Sequence, residues 1–457
     1  MTVGPPIEEL HFSDAPNVSS VPGPRSRELI DQQFELESRV VTYPRSLPVA
    51  FEEGRGATLR DADGNVYIDF VAGAGVLNVG YSNPYVVEAV QEQTGRITHT
   101  LDFPSEARVE FLERLSSIAP GDLAGNSRLA FGGPTGTDAI EASIKLARAN
   151  SDGSSLVAFR GGNHGQTAGA LSLSGVNKYK TKGRGPYVPG VEHVPYPYPL
   201  QQGVSAEEAV ERSIRELREL LEDPYSGIPD PIGVWVEAIQ GSRGVVVPPR
   251  EFLPRVRALC DEHDLMLVVD EIQTGMGRTG KWFASEWSET TPDAIAMGKA
   301  LGGGHALSGI MFHEQFDTWE PGTHKGTFRG YVPAMVAGTR AIEYIEAHDL
   351  LAHGREVGEL IRDRLRAAGE TSPYVAEVRG EGMLTGIEFH DDDGEPFTQF
   401  VADLQRYCLD HGLVVWVSGR HGCVIRLLPP LVLTHELAER GCDVLCGGIE
   451  ALTKRYA

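Results

Sequence analysis

Val268-Val269-Asp270-Glu271-Ile272-Gln273-Thr274-Gly275-Met276-Gly277-Arg278-Thr279-Gly280 is the stretch on which the reading of this chain turns. The run LMLVVD (265–270) reads as a strand that is apolar on both faces, as in a parallel sheet covered by helices. Asp270 closes it at the C-terminal end, the edge where open α/β sheets place ligands. A carboxylate buried there without a cationic partner is costly. A protonated pyridine nitrogen would serve as that partner, and the pairing would keep the ring an electron sink. A helix N-cap or loop aspartate explains the segment equally well on its own.

Two further segments extend the pattern. Lys299, in DAIAMGKALGGG, follows the apolar run AIAM (294–297) and precedes glycines 302–304. Partial burial of a lysine there lowers its pKa and favours imine formation with an aldehyde. The alternative, a lysine snorkelling beside a turn, is weaker because glycine-rich loops let a ligand approach the backbone. Upstream, FGGPTGTDAIEASIKLAR (131–148) opens a helix with Thr135, Gly136 and Thr137. Helix N-termini with nearby hydroxyls cradle phosphate groups. Taken alone, ordinary N-capping by a threonine accounts for this segment.

From about 85 to 345, helical patterns alternate with short apolar strands, among them SLVAF (155–159), GVWVEAI (233–239) and the two runs above. AEEAVERSIRELRELLED places Val210, Ile214, Leu217 and Leu221 at helical spacing. The class is α/β. Outside this block, residues 57–70 read as a hairpin turning at Asp63-Gly64-Asn65. Residues 1–26, rich in Pro, Ser and Gly, read as a loose arm. After 346, a helix through Leu350–Leu365, strands near VRGEGMLTGIEF and CVIRLL, and a closing helix from about Glu436 describe a smaller α+β domain. The expected division is 1–84, an arm and part of the small domain; 85–345, the large domain; and 346–457, the rest of the small domain.

A net charge of −23, from 41 Lys+Arg against 64 Asp+Glu, repels phosphate backbones and anionic membranes, which argues against a nucleic-acid partner. No apolar run approaches the roughly 20 residues that span a bilayer, and the N-terminus lacks the basic start and apolar core of a signal peptide. The five cysteines form no CxxC pair and suit small buried residues in a reducing compartment. A cytoplasmic protein without membrane contact is expected. Gly275-Met276-Gly277-Arg278-Thr279-Gly280 satisfies GxGxxG, but it trails its strand and opens no clear helix, so it does not indicate a dinucleotide. No GxxxxGK[ST], GxSxG or HExxH pattern occurs, and no metal is expected.

Together, these segments resemble the class III aminotransferases, pyridoxal-phosphate enzymes of fold type I. The resemblance runs from LRDADGNVYIDF through IRLLPPLVLT and is most specific in DEIQTGMGRTG followed by AMGKALGGG. FRGGNHGQTAGALSLSG, HVPYPYPL and DTWEPGTHKGTFRG look most like diaminobutyrate–2-oxoglutarate aminotransferases. The resemblance implies a large domain with a mostly parallel seven-stranded sheet beside a smaller α+β domain. It implies that Lys299 carries pyridoxal 5'-phosphate as a Schiff base and shuttles protons, while Asp270 pairs with the ring nitrogen and Gln273 contacts the ring hydroxyl side. Thr135, Gly136 and Thr137 would hold the phosphate, and Asn163, His164 and Glu237 match positions lining the cofactor. For His164 and Glu237, a satisfied polar core residue is the structural alternative. Thr327 would reach the phosphate of a neighbouring subunit, which implies a homodimer, alone or paired into a dimer of dimers. Arg426 matches the arginine that takes a substrate carboxylate.

Two positions depart from the family's pattern. Asn163 stands where an aromatic residue usually stacks on the ring, and the common Q-G-E-G-G reads Gln240-Gly241-Ser242-Arg243-Gly244. Ser242 cannot neutralise Arg426 as the glutamate of ω-aminotransferases does, which favours substrates with a carboxylate near the reacting carbon. The leading expectation is amino transfer from an amino acid, in one form the terminal amine of 2,4-diaminobutyrate or 4-aminobutyrate, to 2-oxoglutarate. An amino-acid racemase or epimerase on the same fold is the runner-up, and a non-catalytic cofactor-binding sensor is the rival from another class.

Overall fold

The computed structural model describes residues 3–180, 185 and 187–457. They form two compact units, a central one of Glu88–Glu343 and a terminal one of Met1–Val87 with Tyr344–Ala457.

The central unit is built on a seven-stranded sheet. Its spatial order is Ser127–Phe131, Gly309–His313, Ala294–Met297, Met266–Asp270, Pro231–Glu237, Ser155–Phe159 and Val191–Val194. Gly309–His313 runs antiparallel to both neighbours, and the remaining pairings are parallel. The mostly parallel seven-stranded sheet expected for fold type I is therefore present. Met266–Asp270 and Ala294–Met297 are buried at every position, the pattern of strands covered on both faces. On the helix Gly136–Ala149, Ala139, Ile140, Ile144 and Leu146 join Leu156, Trp235, Val268 and Ala296 in one core cluster. The enclosed Trp235 indole donates to Ser143 Oγ at 2.9 Å, so the largest buried side chain leaves no polar group unmet. Parallel register sets Glu237 beside Asp270, and Asp270 beside Ala296. The C-terminal ends of three strands thus lie in one row.

The terminal unit joins the two ends of the chain. Leu413–Val414 pairs in parallel with Val66–Asp69, completing a sheet begun by Phe51–Arg55 and Thr58–Asp61. A second, antiparallel sheet has the order Val375–Glu381, Leu384–Phe389, Val424–Leu427, Trp416–Ser418. The helix begun at Leu350 continues to Gly369, and the last one spans His435–Tyr456. The N-terminal arm is a correction to the sequence reading. Met1 and Thr2 lie outside the described residues, but from Val3 onward the segment is held rather than loose. Leu10, Phe12 and Ala15 are buried, and Asn17 and Val66 exchange two backbone hydrogen bonds of 2.8 Å. Scattered apolar residues anchor it without any periodicity that composition would reveal.

Candidate active site

Asp270 is buried at the end of its strand, with each carboxylate oxygen held. Oδ2 accepts from His164 Nδ1 at 2.8 Å, and Oδ1 accepts from the Ile272 N–H at 3.0 Å. The adjacent Glu237 accepts the Asn163 N–H on Oε1 at 2.7 Å and the Gly241 N–H on Oε2 at 3.1 Å. Burial raises the Glu237 pKa, and the Asp270 charge raises it further. Burial opposes charge on His164, but the hydrogen bond and charge of Asp270, with Glu237 behind, outweigh it and raise the imidazole pKa. The site is anionic at its base and suits a buried cation.

Three glycine-dependent contacts bring the other predicted residues together. A Cβ on Gly136 would stand 2.8 Å from Ile272 Cγ2, and one on Gly298 would stand 3.3 Å from the same atom and 3.1 Å from Gly136 Cα. Only bare backbone lets the helix N-terminus, the loop after Asp270 and the approach to Lys299 converge on Ile272. A Cβ on Gly241 would fall 1.8 Å from Gln273 Oε1, so that glycine leaves room for the Gln273 side chain. Lys299 itself has φ 46°, left-handed, and so does Val245 at φ 57°. For a β-branched residue such as Val245 this conformation is strained, and strain of this kind collects where a ligand or reaction requires it.

Thr135 is the N-cap of the helix Gly136–Ala149. Its N–H and hydroxyl both donate to Asp138 Oδ2, at 2.9 and 2.7 Å. Thr137 Oγ1 lies 2.7 Å from Thr167 Oγ1, which itself donates to Glu141 Oε1 at 2.5 Å. With the hydroxyl protons committed this way, the donors facing an anion are the first-turn N–H groups, which have no intrahelical acceptor.

Asn163 and Ser242 meet. Asn163 Nδ2 donates to Ser242 Oγ at 2.9 Å, and Asn163 Oδ1 is buried without a protein partner. The next residue, Arg243, donates to the Arg160 carbonyl at 2.9 Å and to Gln240 Oε1 at 3.1 Å. Its guanidinium lies 5.3 Å from the Tyr198 ring centroid. These bonds fasten the loop after Glu237 to the loop carrying Asn163 and His164.

Asp270, His164, Glu237, Asn163, Gln273, Lys299, Gly136 and Thr137 thus belong to one set of contacting segments, with Thr135 at its edge. Thr327 does not join them within the chain. Its side chain is exposed, its carbonyl lies 2.6 Å from His99 Nε2, and Arg329 beyond it donates to the Gly132 carbonyl at 3.3 Å. Arg426 lies in the terminal unit, buried on the strand Val424–Leu427 opposite Gly386 and Trp416. Sequence reasoning missed Ile272 and Thr167. The two glycines that close on Ile272 were present as a signal, but nothing in the sequence pairs them with it.

The family model for class III aminotransferases matches residues 41–447. The chain belongs to the class III aminotransferases. It is 36% identical over 440 residues to a diaminobutyrate–2-oxoglutarate aminotransferase of Rhizobium meliloti, covering 94% of this chain and 93% of that protein. It is also 35% identical over 432 residues to an alanine/serine racemase of Pyrococcus horikoshii, covering 93% and 90%. Among solved structures, an (S)-enantioselective omega-transaminase of Thermomicrobium roseum superposes with a TM-score of 0.83 at 27% identity, covering 94% of this chain and 98% of that one. This class III aminotransferase is therefore a pyridoxal-phosphate-dependent enzyme of fold type I. The residues fit that cofactor on their own terms. A buried carboxylate beside a second one suits its ring nitrogen, first-turn helix amides suit its phosphate, and a half-buried lysine follows the glycine that closes on that helix.

Proposed function

We propose that the enzyme moves the terminal amine of a diamino acid such as 2,4-diaminobutyrate, or of 4-aminobutyrate, to 2-oxoglutarate. The observation that carries the reading is the buried Asp270 carboxylate, backed by His164 and one strand away from the segment bearing Lys299. Relatives named diaminobutyrate–2-oxoglutarate aminotransferases support the choice of donor and acceptor. When bound, pyridoxal phosphate supplies an aldehyde for the donor amine and a ring that withdraws electrons from the carbon losing its proton.

This chain's residues do the rest. Asp270 would hold the ring nitrogen protonated, Gln273 would contact the ring's hydroxyl side, and Asn163, His164 and Glu237 would line it. Gly136, Thr135 and Thr137 hold the phosphate. Lys299 Nζ would hold the cofactor's aldehyde and would take and return the migrating proton, as a general base and acid. Arg426 takes a substrate carboxylate, a geometry that guanidinium groups match with two parallel bonds. We assign the cofactor to the domain 85–345 and place the enzyme in the cytoplasm. A homodimer accounts for the exposed Leu101, Phe103 and Phe328 around Thr327, whose hydroxyl then serves the neighbouring subunit's phosphate.

Racemisation is the second reading, favoured by the racemase relative and by Ser242 in place of an acid. Holo-enzyme given one amino acid and no oxo-acid separates the two. Lasting conversion of the cofactor to its amine form supports transfer, whereas lost optical rotation with the aldehyde retained supports racemisation. Borohydride reduction and peptide mapping test the common core, with the label expected on Lys299. A label on another lysine, or none, overturns both readings.

A further inference from the structure

Glu237 and Asp270 are register partners on neighbouring parallel strands, so two carboxylates end side by side in a buried enclosure. Burial of two such charges is costly unless a cation stands with them. Asp270 receives the His164 Nδ1–H, whereas both Glu237 oxygens are capped by backbone N–H groups, which stabilise a charge without cancelling it. The other ring nitrogen, His164 Nε2, is buried and has no protein partner. It faces a space it shares with Glu237. A Cβ on Gly162 would stand 3.0 Å from Nε2 and 3.7 Å from Glu237 Oε1, so this glycine keeps the space open.

We propose that Glu237 is a positioning residue for the reaction, acting through His164. It shares the imidazole with Asp270 and thereby sets the charge that Asp270 presents. Among the described residues, Asp270 and Glu237 favour imidazolium at His164, whereas Lys180, anchored on the Ser172 carbonyl, and a charged His193, its Nε2 2.9 Å from the Leu173 carbonyl, oppose it. Burial and the Asp270 charge push the Glu237 pKa up to about 7, so the charge this carboxylate offers His164 changes within the physiological range. Without the Glu237 charge, the balance at His164 shifts toward the neutral imidazole, and the Asp270 carboxylate is less neutralised. The consequence for catalysis rests on Asp270 pairing with the cofactor ring; the sharing of His164 does not.

The test is a titration of the His164 ring by nitrogen-15 NMR, in apo- and holo-enzyme, with the signal assigned by its loss in His164→Asn. In wild type the midpoint lies above that of a free imidazole. In Glu237→Gln its midpoint falls by about one unit or more, roughly the effect of losing a nearby opposite charge. Glu237→Asp, which keeps the charge, returns the midpoint toward wild type. Gly162→Ala keeps every charge but fills the shared space, and its midpoint falls as well. Should Glu237→Gln fail to fold, the aspartate and alanine variants decide by the same titration. In holo-enzyme, the pH midpoint of cofactor absorbance moves in step with the His164 midpoint. An unchanged His164 midpoint in Glu237→Gln, or in Gly162→Ala should Glu237→Gln not fold, overturns the proposal, as does a midpoint in Glu237→Asp that falls as far as in Glu237→Gln. That result with Lys299 still labelled by borohydride leaves the aminotransferase reading intact, while loss of the label in wild type sinks that reading and not this one.

Discussion

Asn163 Nδ2 donates to Ser242 Oγ across 2.9 Å, joining the two positions that the sequence reading takes as departures from the class III pattern. The residues lie 79 apart in sequence. A carboxamide and a hydroxyl of this size reach each other, so the departures act as one polar clasp between the loops that follow the strands ending at Phe159 and Glu237.

Restoring an aromatic residue breaks that clasp and tightens the cofactor. Asn163→Tyr is expected to slow cofactor loss roughly threefold to tenfold, the worth of about 0.5–1.5 kcal/mol of ring stacking. It should also lower stability by about 1 kcal/mol for the lost Ser242 bond. Release half-lives read by absorbance, alongside denaturant midpoints, check both. Faster release than wild type would count against Asn163 standing at the ring.

Lys299→Ala removes the amine proposed to hold the aldehyde and move the proton. Turnover and the lysine-linked absorbance are both expected to vanish, while circular dichroism stays at wild type. Retained activity in that variant would end the leading reading.

Asp270→Asn keeps the shape but removes the charge, and His164 loses its carboxylate. Loss of charge-assisted bonds worth about 3 kcal/mol corresponds to roughly a hundredfold drop in kcat/KM. Steady-state kinetics at saturating cofactor make the comparison. A loss below fivefold would place the ring elsewhere.

Gly136→Ala sets a methyl carbon 2.8 Å from Ile272 Cγ2. Overpacking of this kind costs about 1–3 kcal/mol and moves the helix amides off the phosphate. Ile272→Ala in the same chain removes Cγ2, relieves the clash and is expected to recover cofactor affinity in an equilibrium titration. If the second change recovers nothing, the contact is not what seats the helix.

Glu271 is buried, accepts from the Ser285 N–H at 2.8 Å and from the Thr274 hydroxyl, and is pushed up to about 7 by burial. With the folded pKa above the unfolded one, the wild-type chain binds more protons folded than unfolded between about 4.5 and 7. Stability is therefore greatest below that window and falls as pH rises through it. Glu271→Gln lacks this dependence. Between pH 5 and pH 8 the stability gap between wild type and variant should shift against wild type by roughly 3 kcal/mol. Parallel urea titrations at both pH values would show it.

The strand-and-loop grammar of the central unit was legible because its strands are apolar on both faces and Asp270 and Lys299 each follow one. AIAM matches a strand residue for residue, whereas GVWVEAI overshoots because Ala238 and Ile239 turn away after Glu237. What stayed hidden depends on contact rather than pattern. No spacing rule joins Asn163 to Ser242, or Ile272 to two glycines far from it in sequence. The N-terminal arm was misread for a related reason, since Leu10, Phe12 and Ala15 bury one by one and a helix or strand period cannot register single anchors.

The parallel pairing of Leu413–Val414 with Val66–Asp69 carries a consequence for how the protein is made. The first strands leave the ribosome hundreds of residues before their neighbour exists, whereas the seven-stranded sheet can close once Gly309–His313 has emerged. During synthesis the early segment stays an open edge, a template for wrong pairing that chaperones must shield until the last hundred or so residues arrive. Truncation near the C-terminus should therefore harm solubility more than its modest length suggests.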